Sequence, residues 1–229
     1  MYQSFQKAIE LISSNDVMLG EIVNTTLKMA FTSSILALLI GAPFGLLVAS
    51  FNFPGKRAVV MFLRTLMGFP PVVVGILVYM LFSGTGPFGK LRLIYSVELM
   101  IIAQVILISP IVSGMTESSL SPIVDKLRPT TCGLRLNPFK SFCMMVYEGK
   151  YQFIAIYLFA FARAISEVGA VQIVGGNILN KTRVMTTAIA LNYNTGDFSV
   201  AVALGIILML ISLGVNFIAA LLQWRSYRK

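Results

Sequence analysis

Histidine does not occur in these 229 residues. Its absence removes the side chain best suited to moving protons near neutral pH, and the commonest metal ligand with it. Cysteine is almost as scarce. Cys132 and Cys143 are the only two, too few for a disulfide framework or a cysteine zinc site, so they read as ordinary reduced thiols and no metal site is expected. Charge is the third scarcity. Only 12% of residues are charged, against roughly 25% in a soluble domain, so the usual solvated shell cannot be assembled.

What fills the chain instead is apolar: 57% of residues are hydrophobic and the mean hydropathy is +0.84. Five stretches, about 27–51, 65–82, 99–116, 151–175 and 198–224, have the length and character to cross a bilayer, which takes about 20 residues rising 1.5 Å each. Backbone groups in hydrocarbon must be satisfied within the protein, so each stretch is expected to be a helix. The fold class is therefore an all-α membrane protein with about five transmembrane helices, a single domain over residues 1–229. Ahead of the spans, Phe5, Ala8, Ile9 and Ile12 fall at helical spacing, while Lys7 and Glu10 interrupt any signal-peptide core. Residues 2–13 read as a short interfacial helix.

A net charge of +9 raises nucleic acid as a partner, but the bases lie between apolar runs rather than along one polar face. Membrane lipid, not nucleic acid, is the expected surrounding. Lys56, Arg57, Arg64, Lys126, Arg128, Arg135, Lys140, Lys150, Arg225, Arg228 and Lys229 fall on one side of the five spans. Only Lys7, Lys28, Lys90, Arg92, Lys181 and Arg183 fall on the other. Basic loops stay in the cytoplasm, which puts the N-terminus outside, the C-terminus inside and the long connection 117–150 in the cytoplasm.

Residues Gly84 to Leu91 nearly spell the phosphate loop G-x-x-x-x-G-K-[ST]. Leu91 has no hydroxyl for magnesium and Pro87 removes one cradling amide, so the segment reads as an external turn without a nucleotide. Helix breakers interrupt the spans at Gly41-Ala42-Pro43, Pro70-Pro71 and Pro110. Such residues either aid packing or break helices where a pathway runs; the second reading carries most weight at Pro70-Pro71. Arg163 and Glu167 share a helical face near the middle of the fourth span, where an unpaired charge costs about 3 kcal/mol. Arginine before glutamate is the poorer order for an intrahelical pair, which favours a place beside a pathway or at a subunit interface. The stretch Leu127–Leu136, broken by Asn137-Pro138, reads as a basic helix–turn–helix presenting Arg128, Arg135 and Lys140 to a soluble partner.

Several stretches together resemble the permeases of binding-protein-dependent ATP-binding-cassette importers, in their molybdate/tungstate branch and closest to the tungstate permeases. They are Gly68-Phe-Pro-Pro-Val-Val-Val-Gly75, Ser83-Gly-Thr-Gly-Pro-Phe-Gly89, Ala103-Gln104, Ser109-Pro110-Ile111 and Gly196-Asp-Phe198. Arg183-Val-Met-Thr-Thr-Ala-Ile-Ala-Leu191 belongs with them, and the most specific is Phe161-Ala-Arg-Ala-Ile-Ser-Glu-Val-Gly-Ala170, running on to Val174-Gly-Gly-Asn-Ile178. The resemblance implies a type I importer permease in a prokaryotic plasma (inner) membrane, working as a homodimer with two ATPase subunits and an extracytoplasmic oxyanion-binding protein. ATP and magnesium would then belong to the ATPase, with no cofactor on this chain. Arg163, Glu167, Pro70, Pro71 and Asn177 are the expected pathway or gate residues; Gly133, Leu134, Arg135 and Arg128 are the expected ATPase-coupling residues. The family's docking pattern E-A-A-x-x-x-G, aligned on Gly133, falls on Leu127, Arg128 and Pro129, so its acid and alanines are missing. Two readings stay open beside tungstate import by this route: a molybdate or other anion permease of the same kind, and an ion-gradient-driven secondary transporter. An intramembrane enzyme lacks a base or a paired carboxylate for Glu167.

Overall fold

A computed structural model describes residues 2–14 and 16–227, all of them helix or connecting turn, with no strand among the described residues. Three helices are long and apolar enough to cross a membrane: α2 (Val17–Ser50), α5 (Val97–Gly133) and α10 (Phe198–Tyr227). Both α2 and α5 start on side-chain caps, Asp16 accepting from Leu19 N at 3.1 Å and Ser96 from Leu99 N at 3.2 Å. Pro43 lies inside α2, and Pro110, Pro122 and Pro129 lie inside α5, without ending either helix. At 34 and 37 residues these helices measure about 50 and 55 Å, well beyond the roughly 30 Å of hydrocarbon.

The expected second and fourth spans are not single helices. α3 (Lys56–Met67) and α4 (Pro71–Phe82) meet at 91°, and α7 (Lys150–Ile165) and α8 (Gly169–Gly175) at 58°. Counting each bent pair as one crossing gives five. Pro70 and Pro71 start α4, as N-cap and first residue, where a missing N–H costs nothing. The connection 117–150, expected as a loop, is largely helical. α5 continues through it to Gly133, and α6 (Pro138–Glu148) follows a short turn capped by Asn137. α1 (Tyr2–Ser13) covers the expected interfacial segment and packs against α10, with Ala8 buried and Ile9 and Ile12 exposed. α9 (Met185–Thr195) completes the bundle.

The framework is the pairing of α2 with α5. Gly41 and Gly45, four apart on α2, are the reason the two helices approach so closely. A Cβ on Gly41 would sit 2.6 Å from the carbonyl oxygen of Ser109, and one on Gly45 would sit 2.7 Å from Thr116 Cβ. Of the two readings open for Gly41-Ala42-Pro43, packing is the one the geometry shows, as a small-xxx-small face. Around it lies a core of Met29, Leu99, Met100, Ile156, Ile165, Met185 and Leu204, all buried. Gly45→Val should therefore lower the thermal unfolding midpoint of the purified protein, with a loss of about 1–3 kcal/mol or more from overpacking. Gly214→Ala, where nothing lies within 4 Å of a new Cβ, should stay within a degree or two of the parent in the same melt.

Candidate functional site

The two helix breaks meet. Gly75 of α4 faces Ala170 of α8 so closely that a Cβ on Gly75 would lie 2.8 Å from Ala170 Cα, and a Cβ on Gly169 would lie 2.7 Å from Val72 Cγ2. Pro70-Pro71 and the segment Ser166 to Val168 are thereby brought side by side, with Arg163 and Glu167 at the junction.

Arg163 Nη1 donates to Glu167 Oε2 at 2.6 Å, with the side chains 30% and 5% exposed. Glu167, expected on a continuous helix, lies in the break between α7 and α8. This explains the order of the pair. Arg163 occupies the last turn of α7, where a cation meets the negative helix end; Glu167 precedes α8, where a carboxylate meets the positive one. Its second oxygen, Oε1, accepts from Ala170 N at 3.3 Å. An order that is poor within one helix is the favourable order across two.

Side chains from elsewhere hold the break open. Gln104, fully buried in α5, donates through Nε2 to the Ala164 carbonyl at 2.9 Å and accepts from Ser33 Oγ at 2.5 Å. Thr186 Oγ1 of α9 donates to the Glu167 carbonyl at 2.8 Å, and Ser166 Oγ to the Arg163 carbonyl at 3.0 Å. Neither Gln104 nor Thr186 is assigned a role by the sequence reading. A lone amide in an apolar run is the signal that would have found Gln104, since a polar side chain at that depth needs a partner.

Asn177 belongs to a different structure, the turn after α8. Its Oδ1 accepts from Thr187 Oγ1 at 2.9 Å and its Nδ2 donates to the Thr187 carbonyl at 3.4 Å, while Thr182 Oγ1 donates to the Gly175 carbonyl at 2.6 Å. The amide is spent on fixing α8 to α9. It does not join Arg163, Glu167 and the proline pair.

At the far end of α5, Cys132, Gly133, Leu134 and Arg135 are exposed, with Leu134 64% open. A Cβ on Gly133 would meet nothing within 4 Å, and its φ is not positive; the left-handed residue is Arg135, at φ +45°. Arg135 N bonds the Cys132 carbonyl and Leu136 N the Thr131 carbonyl, both at 3.1 Å. That pair of bonds is a Schellman ending with arginine where glycine normally stands. Arg128 turns inward instead, its Nη2 donating to the Ser50 carbonyl at the end of α2 at 2.9 Å. Arg135→Gly should therefore stabilise the protein by about 1 kcal/mol, read as a higher unfolding midpoint; an unchanged or lower midpoint would contradict the assigned strain.

Comparison with known proteins follows the same lines. The chain is 35% identical over 221 residues to the tungstate uptake system permease protein of Peptoclostridium acidaminophilum, covering 96% of this chain and 97% of that one. It is 34% identical to a probable anion ABC transporter permease protein of Haloferax volcanii, covering 94% and 97% of the two chains. Among solved structures, a chain of the MetNI methionine ABC transporter in an inward-facing conformation superposes with a TM-score of 0.74 at 16% identity, over 91% of this chain and 96% of that one. No family model matches. The bundle offers three to five candidate membrane crossings, two of them bent pairs that meet at the ion pair. The chain belongs to the family of ATP-binding-cassette anion importer permeases.

Proposed function

We propose that this chain is the membrane subunit of an ATP-driven importer whose cargo is tungstate. The observation that carries this is the 35% identity, across nearly the whole length, to a tungstate uptake permease. A secondary transporter driven by an ion gradient finds no support in such a relationship. Molybdate and other oxyanions stay competitors, because anions of one shape and charge are separated most readily in the protein that delivers them. On this reading two copies pair, two ATPase subunits hold the ATP and magnesium, and a binding protein presents the anion outside.

The gate on this reading is the junction of the two breaks. Arg163, Glu167 and the Pro70-Pro71 start of α4 line it, and Gln104 and Thr186 set its shape; Asn177 serves the turn beyond. The ATPase docks at the exposed turn around Leu134 and Arg135, with Gly133 leaving open space for the partner. If Arg135 takes the place of the family's glycine, the E-A-A pattern falls on Pro129, Thr130 and Thr131, small residues in the two alanine positions.

Cellular tungsten, measured by mass spectrometry after growth in micromolar tungstate, should fall to background when the chain is deleted and return with the parent gene. Unchanged accumulation in the deletion strain would end the tungstate reading; molybdenum falling in place of tungsten would reassign the cargo. The same assay tests the ion pair. Glu167→Gln keeps an oxygen for Ala170 N, so Arg163→Met with Glu167→Gln should assemble as a monodisperse protein yet accumulate less than a tenth of the parent's tungsten. Uptake near normal in that double variant would leave the pair as scaffolding only.

Orientation has a built-in reporter. Both cysteines of the chain are free and exposed and lie in the segment placed in the cytoplasm. A membrane-impermeant maleimide should leave the parent unlabelled in intact cells, label it in broken membranes, and label Lys181→Cys in intact cells. Labelling of the parent from outside would invert the topology.

A further inference from the structure

A cavity of about 760 Å³ opens between α3, the turn before it and α5, away from the junction of the two breaks. Arg57, Met61 and Arg64 line it at i, i+4 and i+7, one stripe of α3. Phe53 contributes from the turn, Lys56 from the first residue of α3, and Glu117 from α5. Lys56 Nζ is committed to the Ala49 carbonyl at 3.2 Å. Arg57 and Arg64 make no hydrogen bond or ion pair among the described residues. Glu117, 9% exposed, accepts from Ser121 Oγ at 3.3 Å. Three cations face one carboxylate, and the two guanidinium groups are unpaired.

The location narrows the ligand. From Val97 to Glu117 α5 rises about 30 Å, one thickness of hydrocarbon, so the cavity sits where the bundle leaves the bilayer core. α3 lies at 91° to α4; its basic stripe includes Met61, 72% open, and Phe62 beside the stripe is 62% open. A helix that turns off the bundle at this angle and exposes bases and bulky apolar residues on adjoining faces is built to rest at a membrane surface. A bare oxyanion would use the guanidinium groups but not Phe53 and Met61. A phospholipid uses both, its phosphate on the arginines and the first carbons of its acyl chains on the apolar wall.

We infer that this cavity holds the phosphate headgroup of an anionic phospholipid, bound by Arg57 and Arg64 and backed by Lys56. Glu117 opposes the anion and keeps the site from binding one too tightly. The chemistry is that of a phosphate oxyanion, and the transported anion is the other possible source of it; the apolar wall favours the lipid.

The full chain, stripped of lipid in a neutral detergent, is titrated with phosphatidylglycerol or phosphatidylcholine while its thermal midpoint is followed. Phosphatidylglycerol should stabilise it at the lower concentration. In Arg57→Gln/Arg64→Gln that concentration should rise about thirtyfold, roughly fivefold for each surface cation removed. Arg57→Lys/Arg64→Lys should retain the preference, and Glu117→Gln should strengthen it. Native mass spectrometry of the parent with mixed lipids gives a readout needing no variant: phosphatidylglycerol should be retained selectively. Equal response to the two lipids, indiscriminate retention, or an undiminished preference in the double glutamine variant would overturn the site. Sodium tungstate and inorganic phosphate form separate arms. Stabilisation by either ion, lost in the double glutamine variant and with no lipid preference, would assign the cavity to a free oxyanion and overturn the lipid.

Discussion

A carbonyl buried in hydrocarbon has no water to turn to, and leaving it unpaired costs several kcal/mol. An unbroken helix meets that requirement from its own backbone, so wherever a span breaks, some other part of the protein must supply donors. In this protein the supply at the break after α7 is specific: Gln104 from α5 reaches Ala164, Thr186 from α9 reaches Glu167, and Ser166 reaches back to Arg163. The positions of α5 and α9 are in this sense set by the break, and the break by them. Gln104 and Thr186 are buried, so removing either strands a carbonyl away from water, whereas the Ser166 bond is exposed.

The same economy governs the charges. A carboxylate and a guanidinium placed at random in a span would each carry a large desolvation cost. Here each sits at the helix end whose partial charge has the opposite sign, and they meet at 2.6 Å. Close helix approach then follows from side-chain size. Gly41 and Gly45 admit the backbone of α5, and Gly75 with Gly169 admits the contact of α4 with α8. The bundle is tight where two helices are long and unbroken, and tight again where two helices are broken.

Much of the architecture is legible in sequence, because composition alone demands helices and the apolar runs fix where they lie. α10 is read to within a residue of its start. The breaks are harder to read, and for a stated reason: a hydropathy run does not register direction, so 65–82 and 151–175 look continuous although the chain turns by 91° and 58° within or beside them. Proline by itself does not mark a corner, and the neighbouring residues decide. Pro43 and Pro110 lie within unbroken helices, while Pro70-Pro71 marks a true corner. Arg163 and Glu167 stand out in the sequence because charge in an apolar run is conspicuous; Gln104 carries a weaker form of the same signal, and the hydroxyl of Thr186 carries none until the carbonyl it serves is known. Gly133 attracts attention as a glycine, yet the strained position is Arg135 two residues on, and no residue-type signal points there.

α5 is a single helix that carries Gln104 toward its start and Glu117 near its middle, with the exposed turn at Arg135 beyond its end. Gln104 and Arg135 are about 45 Å apart along its axis. A lever of that length converts angle into distance: a tilt of about 5° shifts one end by about 4 Å relative to the other. The amide that props open the break thus rides on the same rod as the surface turn. On the proposed reading, a partner that tilts α5 from the turn would carry Gln104, and with it the Ala164 carbonyl, in the opposite sense.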